Sequence, residues 1–164
     1  TDRQSSAVHC AGGLCMRDTR YLLETLKPSQ VDRAYLLMQA VVPELTLAAW
    51  RQAFSNVFRR EEMVVATNAA GTVQGLCIYR VRKHEAVGKL LDVPFLVAAS
   101  AGDAEGVAAT LLKHMNTTAR ENRCRSIRIW TLGPGNWKHM QDPAFLERWD
   151  HGLMLTVGAH SSTS

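Results

Sequence analysis

Apolar and polar residues recur along this chain with two spacings, one typical of strands and one typical of helices. Short runs rich in β-branched and aromatic residues predict six strands, at residues 20–26, 63–67, 73–81, 89–99, 126–132 and 153–157. Apolar residues three, four or seven positions apart predict helices at residues 30–42, 46–60, 103–123 and near 143–149. Strands and helices that follow one another in this order indicate a mixed α/β domain.

Three local features refine this prediction. Ser29, with Asp32 three residues later, is typical of a capping box at the start of the first helix. The short glycine-containing turn at residues 68–71 separates two predicted strands and indicates a hairpin. Pro94 removes a backbone donor from the fourth strand, and therefore predicts a bulge or a locally unpaired position there.

The fourth strand, the turn after it and the next helix form the most informative segment of the sequence. Small residues occupy positions 98–102, directly after the apolar run of the strand. The helix that follows is expected to place five residues on one side: Val107, Leu111, Leu112, Met115 and Ala119. Free N–H groups and the positive end of the dipole favour an anion at a helix N-terminus, and small residues let it approach the backbone. The segment therefore predicts a phosphate-binding turn.

Residues 103–108, with the sequence Asp-Ala-Glu-Gly-Val-Ala, resemble the coenzyme-A loop of the GNAT family of N-acetyltransferases. That loop has the pattern Gln/Arg-x-x-Gly-x-Gly/Ala ahead of a helix with paired leucines. Gly106 and Ala108 match it, whereas Asp103 replaces the Gln or Arg. The order of elements between residues 17 and 158 is also similar to that of the family. The resemblance implies an α/β (α+β) fold, with a mixed, mostly antiparallel central sheet of six to seven strands flanked by about four helices.

The resemblance also implies a reaction and a coenzyme site. Acetyl-CoA would be the co-substrate, and its acetyl group would pass directly to a primary amine of a small molecule or a peptide. Backbone groups of the fourth strand would hold the pantetheine arm, and the loop would hold the pyrophosphate. The residues implied in coenzyme binding are Phe95, Leu96, Val97, Ala99, Asp103, Ala104, Glu105, Gly106, Val107, Ala108, Ala109 and Asn136. Asp103 and Glu105 suit the first turn of a helix, but they place negative charge beside the expected pyrophosphate.

Acetyl transfer to an amine needs a base for the amine and a proton for the leaving thiolate. Family members often carry a carboxylate on the fourth strand, where this chain has Asp92. Asp92 is either the base or a polar residue at the start of a strand. The family's usual general acid is a tyrosine, in a pattern like Leu-Tyr-Glu-Lys-x-Gly-Phe after the fifth strand. Leu146 stands in its place here, which leaves Tyr79, His139, His151 or water to protonate the thiolate.

Two other functions remain open. Asp103 and Leu146 are compatible with a GNAT fold that binds coenzyme A or another ligand as a sensor or binding module, without catalysis. The third hypothesis is a different α/β protein, for instance a nucleotide or RNA binder. Coenzyme binding separates the first two hypotheses from the third. Turnover of acetyl-CoA with a panel of amines separates the first from the second.

Composition narrows the class of protein. The 164 residues carry a formal net charge of +4 and predict one domain at residues 16–158, with a disordered or adventitious extension at 1–15 and a frayed tail at 159–164. No apolar run has the length of a membrane span, and no secretory signal is visible. The four cysteines lack metal-binding spacing, so we expect a cytoplasmic protein without a metal.

Charge and strand count bear on the partners. The basic residues are not interleaved with aromatic side chains, which argues against nucleic-acid binding. No convincing seventh strand follows residue 157, so one edge of the sheet is expected to be open. An open edge favours pairing with another chain, and we therefore expect a homodimer.

Overall fold

The computed structural model describes residues 20–55, 59, 60 and 62–158, and these form a six-stranded sheet with helices on both faces. The strands are β1 Leu22–Thr25, β2 Met63–Thr67, β3 Val73–His84, β4 Gly88–Ala98, β5 Ser126–Trp130 and β6 Gly152–Thr156. The helices described are α1 Val31–Val41, α2 Leu47–Ala53, α3 Ala104–Glu121, α4 Asn136–His139 and α5 Pro143–Leu146. The expected extension at 1–15 and tail at 159–164 lie outside the described residues.

The strands lie in their sequence order, from β1 to β6. Every neighbouring pair is antiparallel except β4 with β5, which is parallel. A parallel pair needs a long connection, and α3 supplies it. This is the mixed, mostly antiparallel sheet that the element order predicted. None of the helices in the described ranges is long and apolar enough to cross a membrane.

Apolar side chains cover both faces of the sheet. On one face α1 and α2 contribute to a core with Met38, Trp50, Phe54, Leu76, Phe95 and Val97. On the other face α3 packs through Val107, Leu111, Met115 and Ala119, all of which are buried. The helical spacing predicted these four correctly. Leu112, predicted on the same side, is 37% exposed, because it lies at the edge of the buried stripe.

The bulge predicted at Pro94 is present. Two residues of β4, Val93 and Pro94, stand opposite the single β3 residue Tyr79. A bulge shifts the alternation of side chains by one residue and bends the strand. Val93 accordingly packs on the α3 face, whereas Phe95 packs on the face of α1 and α2.

The start of α1 differs from the prediction. Ser29 and Asp32 form no capping box; instead the Gln30 side chain accepts the backbone N–H of Lys27 over 3.0 Å. That contact closes a short 3₁₀ turn at Pro28–Gln30, and α1 begins only at Val31, without a side-chain cap. The Gln30 side chain therefore makes the contact with the N-cap N–H that was expected of Asp32.

The extent of α2 and the region after β5 also differ. Thr46 caps α2 as predicted, by accepting the N–H of Ala49 over 3.1 Å. The helix ends at Ala53 rather than at residue 60, because Phe54 adopts φ −110° and ψ 20°. Arg59 and Arg60 are again helical, and residues 57 and 58 of the predicted helix lie outside the described residues. Residues 136–139, expected as a loop, form α4.

Candidate active site

Strands β4 and β5 pair over four residues and then separate. Their last pair is Val93 with Ile129. Beyond it β4 continues to Ala98, whereas β5 ends at Trp130. The bend at Pro94 directs β4 away from β5. The gap between residues 94–98 and Trp130, here called the β4–β5 cleft, exposes backbone groups that a continuous sheet would pair.

Alternate residues of β4 turn their backbone groups towards this cleft. Ala99 donates its N–H to the Gln74 carbonyl on the β3 side, over 2.9 Å. Backbone groups alternate in direction along a strand, so Leu96 and Ala98 present theirs to the cleft. Of the β4 residues implied in coenzyme binding, Leu96 therefore turns its backbone groups towards the cleft, while those of Phe95, Val97 and Ala99 turn towards β3. Ala98 was missed by sequence reasoning, since the bulge decides which residues face the cleft.

Asn136 lies at the apex of the cleft. Its side-chain nitrogen donates to the carbonyls of Pro94 on β4 and Thr131 after β5, each over 3.0 Å. The side chain is buried, and α4 positions it. The amide therefore bridges the two strands where they diverge. Asn136 was expected to contact the coenzyme. In the structure its amide nitrogen is already hydrogen-bonded to the carbonyls of Pro94 and Thr131.

A carboxylate of the chain itself lies at the N-terminus of α3. Asp103 Oδ1 accepts the N–H of Gly106 over 3.1 Å, and Oδ2 accepts the Tyr21 hydroxyl over 2.8 Å. Arg20 lies 3.6 Å from the same oxygen. The Tyr21 hydroxyl, with Gly106 and Arg20, holds the pKa of Asp103 below its usual value. The helix N-terminus thus carries an internal anion where the sequence predicted a phosphate.

The remaining residues of the loop divide into two groups. Val107 donates the first intrahelical bond, to the Asp103 carbonyl, over 3.1 Å. The N–H groups of Ala104 and Glu105 precede that bond, and both residues are exposed. Those of Ala108 and Ala109 follow it and lie inside the helix. Of the loop residues implied in pyrophosphate binding, Ala104 and Glu105 are therefore best placed.

Asp92 is fully buried in an ion pair. Its oxygens accept Nε and Nη2 of Arg128, each over 2.8 Å, and Oδ1 also accepts Trp130 Nε1 over 2.6 Å. Arg82 Nε lies 3.2 Å from Oδ2. Both oxygens of this carboxylate are therefore occupied by donors, and neither is exposed to solvent. This geometry favours a structural role for Asp92 over that of a base.

Of the four residues considered for catalysis, Tyr79, Asp92 and His139 are not brought together. Tyr79 packs on the face of α3. Asp92 points to the opposite face, since its neighbours Leu91 and Val93 both pack against α3. His139 lies in α4, where its ring stacks on Phe145 with centroids 3.9 Å apart.

His151 lies closer to the cleft. Its ring packs between Phe145 and Trp130, with centroid distances of 4.2 and 4.7 Å. Both ring nitrogens are buried without a hydrogen-bond partner among the described residues. Burial, with the nearby charge of Arg128, lowers the pKa of His151. The imidazole is therefore neutral at pH 7.

Sequence reasoning missed the roles of Arg128 and Tyr21. Arg128 alternates with Ile127 and Ile129 along β5, which is typical of a solvent-facing position in a half-buried strand. Instead it is 1% exposed, because the carbonyls of Leu146 and Arg148 close over it and accept its Nη2 and Nη1. No local pattern predicts contacts between residues that are 18 and 20 positions apart in the chain.

Solved structures similar to this chain include three acetyltransferases. Aminoglycoside N-acetyltransferase AAC(6')-Iy, in complex with CoA, has a TM-score of 0.60 and 12% identity, covering 90% of this chain and 99% of its own. Aminoglycoside 6'-N-acetyltransferase AAC(6')-Ih from Acinetobacter baumannii has a TM-score of 0.56 and 13% identity, covering 76% of this chain and 88% of its own. A GNAT-family acetyltransferase from Staphylococcus aureus Mu50 has a TM-score of 0.54 and 9% identity, covering 84% of this chain and 99% of its own.

No protein-family model and no curated protein sequence matches the chain. At identities of 9 to 13%, these similarities concern the arrangement of the backbone. The chain therefore has the fold of the GNAT N-acetyltransferases.

Proposed function

We propose that the protein transfers an acetyl group from acetyl-CoA directly to a primary amine of a small molecule or a peptide. The observation that carries this proposal is the β4–β5 cleft, which is followed directly by the N-terminus of α3. One continuous segment offers the backbone groups of Leu96 and Ala98, and then the exposed N–H groups of Ala104 and Glu105. An extended thioester with a phosphate end suits that arrangement.

The cleft end of this candidate site suits the coenzyme better than the end at the N-terminus of α3 does. The cleft supplies paired donors and acceptors from Leu96 and Ala98, as an amide-rich pantetheine arm requires. At the phosphate end, the Asp103 carboxylate already takes the Gly106 N–H. A pyrophosphate there would meet like charge at close range. We infer that coenzyme binding requires the Asp103 side chain to rotate away from α3 or to exchange its partners.

The chain's own residues would act on the reaction in three ways. The Leu96 N–H is oriented to polarise a carbonyl in the cleft. The buried Pro94 and Trp130 exclude water at its apex. The amine must lose a proton and the thiolate must gain one. We propose Tyr79 as the proton donor, because it lies opposite the bulge that opens the cleft.

Asp92 and His139 are weaker candidates for these proton transfers. Asp92 is buried and both of its oxygens accept hydrogen bonds from Arg128, so that neither oxygen is exposed to an incoming amine. His139 is packed against Phe145 in the helical segment beyond β5. A water molecule in the cleft is the remaining candidate for taking the proton from the amine.

The second candidate function is a coenzyme-A or ligand-binding module without catalysis. Two observations favour it specifically. The Asp103 carboxylate already occupies the N-terminus of α3, and both oxygens of Asp92 accept hydrogen bonds from Arg128. The position of the usual family tyrosine holds Leu146, which has no proton to donate. A protein of this kind would retain the cleft but would not turn over acetyl-CoA.

Thermal unfolding with and without acetyl-CoA tests the site, with ATP as the control. A ligand at about a hundred times its dissociation constant adds roughly 2.7 kcal/mol to stability. For a domain of this size, the midpoint should rise by roughly 5–10 °C. A rise with acetyl-CoA but not with ATP supports the site, and release of free thiol with a panel of amines then separates the enzyme from the binding module. No rise with acetyl-CoA contradicts both.

We also propose that the protein is a cytoplasmic homodimer that pairs along β6. This strand ends the sheet in the described part of the chain, and its Leu153 is 61% exposed. An unpaired edge with an exposed apolar side chain favours association. The free thiols of Cys77 and Cys124 suit a reducing compartment. Analytical ultracentrifugation tests the dimer, and a monomer at all concentrations would contradict it.

A further inference from the structure

A separate cavity lies beneath α5, at the other end of the sheet from the β4–β5 cleft. Its volume is about 340 Å³, and its walls come from β3, β4, β5 and α5. The cationic side chains that line it are Arg82, Lys83 and Arg128, with His84 beside them. Its apolar walls are Val81, Leu90, Pro143 and Leu146. None of these lining residues belongs to the cleft.

The cations of this cavity exceed the carboxylates that pair with them. Arg128 takes both oxygens of Asp92 through two hydrogen bonds of 2.8 Å. Arg82 shares the same carboxylate only as an ion pair at 3.2 Å. Its Nε is buried and has no hydrogen-bond acceptor among the described residues. One carboxylate thus balances one of the two guanidinium groups, and the charge of Arg82 is left over.

The neighbouring strand positions do not compensate for this charge. Glu62 is engaged by Arg80, which donates to it through Nε over 3.0 Å and Nη2 over 2.5 Å. Burial lowers the pKa of Arg82, and repulsion from Arg80 and Arg128 opposes the attraction of Asp92. A desolvated cation with incomplete pairing is costly to maintain. An anion in the cavity would relieve that cost.

Glu147 is the one carboxylate among the described residues that line the cavity. Its Oε2 lies 3.6 Å from Nε2 of His84, and its side chain is 47% exposed. The His84 ring also faces the Glu147 carbonyl, over 3.2 Å. Glu147 is therefore directed at His84, on the α5 side, and leaves Arg82 uncompensated. It would also repel an entering anion.

We propose that this cavity binds a small organic anion, a carboxylate or a phosphate, whose charged group contacts Arg82 and whose apolar part lies against Leu90 and Leu146. Guanidinium groups suit both oxyanions, because their fork of donors matches two oxygens at once. The proposal is independent of acetyl transfer, since the anion binds to protein that carries no coenzyme.

The test measures binding of three probes with the same ring: benzoate, phenyl phosphate and the neutral benzamide. Titrations of the full chain without coenzyme are followed by NMR, using the Nε–H resonances of arginine and the backbone amides of residues 81–84. Benzoate or phenyl phosphate should shift the Arg82 resonance, and benzamide should not. Comparison of the first two identifies the preferred anion. Equal binding of benzamide, or binding of no probe, would overturn the proposal.

Two substitutions should change affinity in opposite directions. Arg82→Gln should weaken anion binding by about tenfold or more, since it removes a charge-assisted hydrogen bond. Glu147→Gln should tighten binding by a few fold, since it removes the repulsive carboxylate. Arg51→Gln is the matched control, because Arg51 pairs with Asp32 at the surface of α2. Unchanged affinity in both test variants would overturn the proposal.

A further variant, Lys83→Gln, tests the proposal even if the Arg82→Gln protein does not fold. Lys83 lines the cavity from an exposed position, so Lys83→Gln should fold normally. It should weaken benzoate and phenyl phosphate binding by about two- to fivefold, as expected for a solvated charge. Circular dichroism checks the fold of every variant. Probe-induced shifts confined to residues outside the cavity would contradict the assignment in any of them.

Discussion

The Arg128 guanidinium donates to both carboxylate oxygens of Asp92, each over 2.8 Å, from the neighbouring parallel strand. Both side chains are 1% exposed. The remaining donors of Arg128 reach the carbonyls of Leu146 and Arg148, over 2.9 Å each. The pair therefore attaches α5 to the sheet, one strand residue before β4 and β5 separate.

Breaking this pair should destabilise the fold more than it affects the chemistry. Arg128→Met leaves the Asp92 charge buried without its partner, which should cost about 3–5 kcal/mol. Asp92→Asn should cost about 2 kcal/mol or more, since it leaves hydrogen bonds to Arg128 and Trp130 poorly matched. Urea denaturation measures both values.

A double variant and an activity measurement complete this experiment. Arg128→Met combined with Asp92→Asn should cost less than the sum of the two single changes, because the double variant buries neither the Asp92 charge without Arg128 nor Arg128 without a matched acceptor. If Asp92 is structural, acetyl transfer per folded molecule should be nearly unchanged in Asp92→Asn. A large loss of rate in fully folded protein would instead support Asp92 as the base.

Removing the charge of Asp103 should strengthen coenzyme binding. Asn is as good an N-cap as Asp, so Asp103→Asn should keep α3 intact and remove the repulsion of a pyrophosphate. We expect about a tenfold lower dissociation constant for CoA, measured by isothermal titration calorimetry, since close like charges differ by at least 1 kcal/mol. Glu44→Gln, on the loop between α1 and α2, is the control. Unchanged or weaker CoA binding in Asp103→Asn would exclude the phosphate site at α3.

Gly106 and Asp103 should be strongly coupled in stability. A Cβ on Gly106 would lie 2.3 Å from Asp103 Oδ2, so Gly106→Ala should displace the cap and cost about 1–2 kcal/mol. In an Asp103→Ala background the same change should be neutral or stabilising by up to about 1 kcal/mol, as Gly to Ala normally is within a helix. Thermal unfolding of the four proteins gives the coupling. Additive effects would show that the cap contact is unimportant in solution.

Asn136 should be needed to hold the strands at the cleft. Asn136→Ala leaves the buried Pro94 carbonyl without its donor, and should cost about 1–3 kcal/mol. Hydrogen exchange should accelerate at the amides of residues 95–98, and CoA should bind more weakly. Asn122→Ala, which removes an amide donor at the C-terminal end of α3, is the matched control. Equal exchange in both variants would show that the bridge does not order the cleft.

Stability should decrease on mild acidification, because burial lowers the pKa of His151 and of His114. The unfolded chain takes up these protons near the ordinary value of 6.5, and the folded chain only at lower pH. The unfolded state therefore binds more protons in that interval, and stability falls as the pH drops below about 6.5. Well above pH 7 these two groups contribute no pH dependence.

His151→Phe tests the origin of this effect. Phe keeps the ring contacts with Trp130 and Phe145 but removes two buried nitrogens that lack partners. We expect a gain of about 1–2 kcal/mol at pH 7 and a shallower loss of stability between pH 7 and 5. An unchanged slope in His151→Phe would assign the effect to other groups.

The sequence alone predicted much of the fold through short-range patterns. Short runs rich in β-branched and aromatic residues located all six strands of the described part, and the spacing of Val107, Leu111 and Met115 identified the buried side of α3. Pro94 predicted the bulge, because a missing N–H is a purely local property. The predicted end of α2 was wrong, since Phe54 continues the apolar spacing but leaves the helix.

The candidate site was predicted as a segment rather than as a set of contacts. On β4 and the loop, the residues named were 95–97, 99 and 103–109. Ala98 was not among them, because the orientation of Leu96 and Ala98 depends on a register shift against β3. The Asp103 side chain was expected to crowd a phosphate; its hydrogen bond to Tyr21 spans 82 residues of chain. No local pattern contains that contact.

By itself, the sequence determined the order of elements, the buried sides of the helices and the position of the bulge, because periodicity and turn chemistry act between near neighbours. Only the tertiary structure decided that Asp92 and Arg128 neutralise each other, that Asn136 bridges the diverging strands, and that Arg82 keeps an uncompensated charge. Electrostatic pairing and desolvation depend on distances in space. Those distances are set by strand register and by what covers each face, and a linear pattern records neither.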